Sequence, residues 1–128
     1  MLDRPDAAEL LEAIGAFLSE EVVPSCEGRK RFHALVAANV AQVLAREARL
    51  VPRHVEAEIT ELWSLLGREG AVPADGDRRE LARALSVELC ERIETGEADA
   101  GTWRPRVFAF LKASIGRRLD IDNPSFRR

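Results

Sequence analysis

Apolar residues recur along most of the chain at the three- and four-residue intervals of an amphipathic helix. Asp6 and Glu9 have the spacing of a capping box at the first of these runs, which ends before Pro24. We expect Pro52 to separate a second run from a third, because proline interrupts helical hydrogen bonding. No segment alternates apolar and polar residues with a period of two. The pattern predicts an all-α fold, a compact bundle of about five mostly antiparallel helices.

Helix-terminating and helix-starting residues set the expected boundaries. Asp77 opens the fourth run, and Gly67 and Gly96 are expected to end the third and fourth. Thr102 can cap the fifth. The predicted helices therefore cover about residues 6–22, 29–48, 52–66, 77–95 and 102–119.

The second predicted helix carries an amide within its apolar stripe. On a helical wheel, Phe32, Val36 and Val43 lie within about 40° of one another, and Asn39 lies among them. His33 lies on the flank of this stripe. The opposite side consists of small residues, which would let another helix approach closely: Ala34, Ala38, Ala41 and Ala45. This composition predicts a central position for the helix.

Asn39 admits two interpretations. A buried amide without partners would cost on the order of 1–3 kcal/mol, so we expect it to be hydrogen-bonded. In the favoured structural interpretation, Asn39 bonds across the bundle and fixes helix register. In the functional interpretation, Asn39 with His33 or Arg29 presents polar groups to a ligand. The candidate residues for this ligand site or polar core are Arg29, Phe32, His33, Asn39 and Asn123.

The fifth predicted helix has two apolar stripes. The main one contains Phe108, Leu111, Ile115 and Leu119. Trp103 and Phe110 lie well round from it, with Ile121 on the same side. A second stripe is typical of a helix with neighbours on two sides or of a partner interface. Trp103, Phe110 and Ile121 are therefore the candidate partner interface.

Length and composition indicate one globular domain over residues 1–128. The apolar fraction of 46% and charged fraction of 32% are those of a soluble protein, and no apolar run is long enough for a membrane span. Without a secretory signal pattern at the start, we expect a cytoplasmic protein. The net charge is −3, although residues 102–128 carry a net +5. This basic end favours a salt-bridged face over nucleic-acid binding.

Catalytic and metal-binding patterns are lacking in the sequence. It has neither a nucleophile elbow nor a glycine-rich phosphate loop, and its two cysteines and two histidines do not have zinc-site spacing. His54, Glu58 and Glu61 share one helical flank, which is more typical of a solvated face than of half a metal site. We expect no metal, no cofactor and no enzymatic activity.

Two stretches carry a family resemblance. Residues 4–47 resemble the N-terminal signature of an uncharacterised bacterial helical family, the domain of unknown function DUF6285, in which a proline-led acidic helix precedes a Gly-Arg turn, Phe-His and Val-Ala-Ala-Asn. The end, "LKASIGRRLDIDNPSF", is similar to the family's closing pattern but has Ile115 and Arg118 where valine and lysine are usual. The matching positions include Arg29, His33, Asn39, Asn123 and Pro124.

The resemblance implies no reaction. Members of the family tend to be encoded beside aminoglycoside-phosphotransferase-like proteins and acyl-CoA dehydrogenases. This suggests an accessory protein that binds such an enzyme, a phosphotransferase-like protein above all, or a copy of itself as a homodimer. The alternative is a bundle that binds an acyl or phosphorylated small molecule in a pocket near Asn39 and His33.

Overall fold

The computed structural model describes residues 3–127, and all regular structure in this range is helical, with no strand. Helix α1 covers Ala7–Phe17 and continues through a π-helical turn, Leu18–Val22, and a short α-helical segment, Val23–Ser25. The remaining helices are α2, Gly28–Leu65, α3, Arg78–Glu94, and α4, Trp103–Asp122, followed by a 3-10 turn, Pro124–Arg127. The all-α prediction is confirmed. None of the described helices is sufficiently long and apolar to cross a membrane.

The number of helices is about four rather than five, because α2 continues through Pro52. The predicted break at this residue is wrong. Pro52 cannot donate the backbone hydrogen bond to Ala48, four residues earlier. Both residues are exposed, so the freed carbonyl of Ala48 is left at the surface rather than buried. The helical spacing of apolar residues resumes at once on the far side of the proline, and this keeps the helix intact.

The predicted helix ends are confirmed at several residues. Asp6 accepts the backbone N–H of Glu9, and the Glu9 carboxylate accepts the backbone N–H of Asp6, each at 2.8 Å. Asp77 accepts a backbone N–H in the first turn of α3 at 3.1 Å. Gly67 and Gly96 follow α2 and α3 with φ angles of 73° and 88°, the left-handed conformation that glycine adopts without strain.

The described residues group into two compact units. The first unit contains residues 3–51 and 120–126, and the second contains residues 52–119. Helix α2 supplies its first part to the first unit and the remainder to the second. The sequence-based expectation of one domain stays a prediction.

The second unit has a core of large aliphatic side chains. Ile59 and Leu62 of α2 are both 0% exposed. Trp103 packs against this core, and its indole Nε1 donates a 2.8 Å hydrogen bond to the carbonyl of Leu65. The guanidinium of Arg92 lies 4.3 Å from the centroid of the Trp103 ring, so the outer face of the indole is also covered. The buried core residues are Ile59, Leu62, Leu65, Leu66, Ala82, Leu85, Leu89 and Val107.

The first unit has an interior of small side chains. A Cβ atom built on Gly15 of α1 would lie 3.2 Å from the Cγ of Gln42 and 3.6 Å from the Cβ of Ala41. Helices α1 and α2 thus approach closely here, and they run antiparallel, since Glu12 pairs with Arg49 further along α2. The buried apolar residues of this unit are Ala8, Val23, Ala34, Ala38, Ala41, Ala45 and Ile121.

The stripe of α2 that was expected to face the core is exposed. Phe32 is 63% exposed and Val36 45%, and Asn39 is exposed among them. The expectation of a buried Asn39 is therefore wrong for this chain. The physical reason is that the small residues make the close contact with α1, which directs the larger residues on the opposite side of α2 outward.

Helix α4 shows the same inversion. Three residues of its main predicted stripe, Phe108, Leu111 and Ile115, are exposed, Ile115 to 61%, whereas the fourth, Leu119, is partly buried. The buried side instead follows the three- and four-residue spacing of a second set, in which two polar residues take the place of apolar ones. This set consists of Trp103, Val107, Phe110, Ser114, Arg117 and Ile121. The candidate interface residues Trp103 and Phe110 pack against the core of the second unit, and Ile121 is 3% exposed in the first.

Candidate functional site

The first unit exposes many large apolar side chains. On α2 they form one stripe, each of its residues between 42% and 63% exposed. We call this stripe the apolar face, and it consists of Phe32, Leu35, Val36, Val40 and Leu44. On α1, Leu10, Ile14 and Phe17 form a separate exposed stripe, on a side of that helix away from α2.

The separate exposed stripe on α1 follows from the way this helix begins and packs. Leu10, Ile14 and Phe17 are spaced four and three residues apart, so they form one stripe along the helix. Gly15 lies on another side of α1, against α2. The capping box at Asp6 fixes the residue at which the helix begins. Helix formation and the glycine contact together leave the three large residues exposed.

The remaining sides of α2 are occupied by polar contacts within the first unit. Arg49 donates two hydrogen bonds to the carboxylate of Glu12, at 2.7 and 2.8 Å. These bonds hold the pKa of Glu12 below its ordinary value. Arg46 donates a 2.7 Å bond to the carbonyl of Ile121 in the last turn of α4. These charged groups thus bind other parts of the unit, and the side chains of the apolar face stay exposed among the described residues.

Charged and polar side chains border the apolar face. The Arg29 Nε donates to the Nε2 of His33 over 3.3 Å, and the rings of Phe32 and His33 meet edge to face at 5.8 Å between centroids. Asn39, which is polar and exposed, lies within the apolar face between Val36 and Val40. Glu47 is partly exposed and follows Leu44, the last residue of the face, by three positions. The face is therefore suited to an apolar surface with a few matching polar groups at its edges.

The structure brings together only some of the residues predicted for a ligand site. Arg29, Phe32 and His33 are neighbours on the first turns of α2, and all three are exposed, as is Asn39. Asn123 accepts a 2.7 Å hydrogen bond from Ser125 in the turn that follows α4. That bond is local, and it assigns Asn123 to the end of α4 rather than to a shared site.

Sequence reasoning missed most of the apolar face. Leu35, Val40 and Leu44 were not predicted to form an exposed surface, because the large residues of a helix were expected to point inward. The usable signal was the alanine side of α2, since a helix with small residues on one side can bury that side against a close neighbour. The large residues opposite are then exposed.

The second unit contains an open groove of about 520 Å³ between α2 and α4. Its polar groups are already engaged: Glu61 accepts two bonds from Arg117, and Arg106 donates a 3.3 Å bond to the carbonyl of Ser64. The remaining surface is mostly aliphatic and aromatic. The lining residues are Thr60, Glu61, Ser64, Leu65, Arg106, Ala109, Phe110 and Ala113.

The acidic flank of α2 serves a salt bridge in the second unit. Arg117 donates to the two carboxylate oxygens of Glu61 at 3.0 and 2.8 Å, and Ser114 donates to Glu58 at 2.6 Å. The side chain of Arg117 is only 15% exposed, so the two acidic residues compensate a largely buried charge. Within residues 3–127, no three histidine, cysteine or acidic side chains are grouped closely enough to hold a metal ion.

Comparison with known proteins identifies the family to which the chain belongs. The model of the family described as Domain of unknown function (DUF6285) matches residues 24–126. No curated protein and no solved structure is significantly similar to the chain. The matched range includes all of α2, α3 and α4 and therefore the whole apolar face of α2.

Proposed function

The chain belongs to the DUF6285 family, and we propose that it is a non-catalytic helical interaction module whose apolar face binds another helical surface. The observation that carries this proposal is the exposure of the face in a unit with an interior of alanines. Phe32, Val36 and their neighbours on α2 would stabilise the folded chain if buried, yet they are at the surface. A partner that binds over these side chains would remove them from water.

The size of the face supports the proposal. Its side chains together expose on the order of 450 Å², judging from the usual areas of such residues. The largest apolar patch of an ordinary monomer is about 300–600 Å² and is often functional. A typical stable interface buries about 800 Å² on each partner. The face thus has the size of a functional patch and supplies about half of what one side of a typical interface requires.

The proposed partners include an enzyme. The family resemblance suggests a phosphotransferase-like protein or an acyl-CoA dehydrogenase, for which this chain would be an accessory subunit. The polar groups that border the face are few, and the contacts of Arg49 and Arg46 already stabilise the unit itself. The face therefore supports binding rather than proton transfer or nucleophilic attack.

Binding to the phosphotransferase-like protein encoded nearest to the gene tests this proposal. We expect the purified chain to bind it in isothermal titration calorimetry, and Val40→Glu to weaken binding at least about tenfold, since a charge would be buried against apolar atoms. Ile115→Glu is the matched control, because Ile115 is likewise an exposed β-branched residue but belongs to the second unit. Equal losses in both variants would refute a role for the face, as would a wild-type chain that binds neither this protein nor itself.

The small-molecule alternative lacks support at its expected position. It requires a pocket near Asn39 and His33, and both side chains are exposed on α2. The groove that the structure does contain lies in the second unit, on residues that this hypothesis did not include. We therefore favour the interaction function.

A further inference from the structure

We propose that this chain has a second interaction surface, separate from the apolar face of α2: the exposed stripe of α1 on one copy binds an exposed stripe of α4 on another copy, with the two helices antiparallel. The α1 stripe is 50–54% exposed and consists of Leu10, Ile14 and Phe17. The α4 stripe is 38–61% exposed and consists of Phe108, Leu111 and Ile115. Because the contact joins two different surfaces, it is heterologous.

The spacing of the two stripes fits an antiparallel pair. From its N-terminal end, the α1 stripe has intervals of four and then three residues, and the α4 stripe has the same intervals when followed from its C-terminal end. Such intervals are typical of helices that pack at about 20°. In a parallel pair the intervals run in opposite order, so at most two of the three levels coincide. The antiparallel layers are Leu10 with Ile115, Ile14 with Leu111, and Phe17 with Phe108.

The same alignment brings opposite charges to one level. Glu21 is exposed about one turn after Phe17, and Arg104 is exposed one turn before Phe108. The guanidinium of Arg104 lies 5.2 Å from the centroid of the Phe108 ring and donates a 2.7 Å hydrogen bond to the carbonyl of Asp99. A guanidinium has further N–H groups, so Arg104 can also bind a carboxylate. In the antiparallel pair, Glu21 of one copy therefore faces Arg104 of the other.

Charge also selects the pairing of unlike stripes over like ones. Two antiparallel α1 stripes would bring Glu21 near Asp6, and two antiparallel α4 stripes would bring Arg104 near Arg118. Like charges at one level repel each other, whereas the pairing of α1 with α4 joins a carboxylate to a guanidinium. A second copy is the occupant that fits, because every copy presents both halves of the contact.

The area of the stripes sets the expected strength of the contact. Each stripe exposes on the order of 300 Å² of apolar side chain, judging from the usual areas of such residues. One contact therefore buries less than the roughly 1,200–2,000 Å² of a stable interface. We expect a weak association, with a dissociation constant on the order of 100 µM.

Mixing two defective variants tests the heterologous contact. We expect sedimentation velocity of the full chain at about 500 µM to show association. Ile14→Glu and Leu111→Glu should each raise the dissociation constant at least about tenfold, because each buries a charge in the central layer. A mixture of the two variants should associate again, since the first retains the α4 stripe and the second retains the α1 stripe.

Val87→Glu on α3 is the matched control for these variants. Val87 is 47% exposed and belongs to neither stripe, so the substitution is expected to leave the association unchanged. Circular dichroism checks that each variant is helical. A wild-type chain that is monomeric at about 500 µM overturns the proposal. A mixture of the two folded variants that remains monomeric does so as well.

Charge exchange tests the level at which the helices meet. Glu21→Arg and Arg104→Glu are each expected to weaken the association about fivefold, and the double variant to restore it, since opposite charges then face each other again. Glu20→Arg is the matched control, because Glu20 is exposed but points to another side of the helix. A double variant as weak as the single ones contradicts the antiparallel alignment.

Disulfide trapping tests the orientation. In a background of Cys26→Ser and Cys90→Ser, oxidation of a mixture is expected to link Leu10→Cys to Ile115→Cys but not to Phe108→Cys. The opposite preference would demonstrate parallel pairing and refute this arrangement.

This contact and the proposed function fail separately. Binding of the phosphotransferase-like protein is measured at low micromolar concentration, where so weak a self-association leaves the chain monomeric. Ile115→Glu therefore remains a control in that experiment, although it alters the α4 stripe. An Ile14→Glu chain that is monomeric at high concentration and still binds the phosphotransferase-like protein would confirm two separate surfaces. Loss of both interactions in this variant would overturn their independence.

Discussion

The two units are built from the same kind of helix but bury different side chains. In the second unit Ile59 and Leu62 are completely buried among other leucines, whereas the first unit buries alanines and leaves Phe17 and Phe32 exposed. Hydrophobic stabilisation grows with the apolar area removed from water, so the second unit gains more from its own packing. This difference in burial is the basis of the proposal that a partner covers the apolar face of the first unit.

Electrostatic contacts do not explain the difference in buried side chains, because each unit contains the same kind of arginine–glutamate pair. Arg49 and Glu12 form a doubly hydrogen-bonded pair in the first unit, as Arg78 and Glu56 do in the second, at 2.7 and 2.8 Å in each case. All of these pairs are at the surface, where such bridges contribute little. The contrast therefore lies in side-chain size and helix separation.

The largest expected effect is that of Leu62→Ala. This substitution would leave a cavity in the core of the second unit and lower the free energy of unfolding by about 2–5 kcal/mol. Leu10→Ala is the matched control in the first unit, where a half-exposed leucine contributes much less to the isolated chain. Urea denaturation at low protein concentration measures both. Equal losses would contradict the comparison.

Overpacking should affect the first unit. Ala38→Leu adds a bulky side chain where α1 and α2 are in close contact, and we expect it to lower the free energy of unfolding by about 1–3 kcal/mol. Ala48→Leu adds the same atoms at an exposed position of α2 and should be nearly neutral. Hydrogen exchange would localise the loss of protection to α1 and the first half of α2. Normal exchange there would show that the contact is looser than described.

Pro52 lies where α2 leaves the first unit and enters the second. Pro52→Ala restores a backbone donor for the carbonyl of Ala48 and is expected to raise the free energy of unfolding by about 1–3 kcal/mol. Two separate unfolding transitions in the wild-type chain that merge in the variant would identify the proline as a point of weak coupling. A destabilised variant would instead show that the proline itself stabilises α2.

The helix caps provide a smaller comparison. Asp6→Ala removes the capping box of α1, and Asp77→Ala removes the N-cap of α3. We expect each to cost about 0.5–2 kcal/mol. Because the first unit has less hydrophobic burial, Asp6→Ala should cause local fraying of α1, visible as faster hydrogen exchange, before global unfolding. Unchanged exchange in α1 would contradict this order.

Acid titration should produce the smallest effect. The Arg49 and Arg78 hydrogen bonds hold the pKa of Glu12 and the pKa of Glu56 below their ordinary values. Each pair therefore stabilises the folded chain above the unfolded-state pKa, and this contribution disappears as the pH falls through the lower folded-state value. Thermal melts of Glu12→Gln and Glu56→Gln should differ slightly from wild type at neutral pH and converge with it in acid. A difference that grows on acidification would contradict the assignment.

Local chemistry was predictable at particular residues. The capping box at Asp6, the N-cap at Asp77 and the glycines after α2 and α3 were all identified correctly, because each depends on atoms within one helical turn. Pro52 was misjudged, since the stability of a helix around a proline depends on the contacts of the flanking turns. Contacts between residues far apart in the sequence could not be predicted in this way, because they depend on how the helices pack.

The sequence by itself determined that this chain is helical, where most of its helices begin and end, and that α2 has one side of alanines and another of larger apolar residues. The tertiary structure alone decided which side is buried. Periodicity identifies the sides of a helix but not the distance to its neighbour, and Gly15 of α1 supplies that distance. Because α1 contacts the alanines closely, Val36 and Asn39 are left outward, available to a partner.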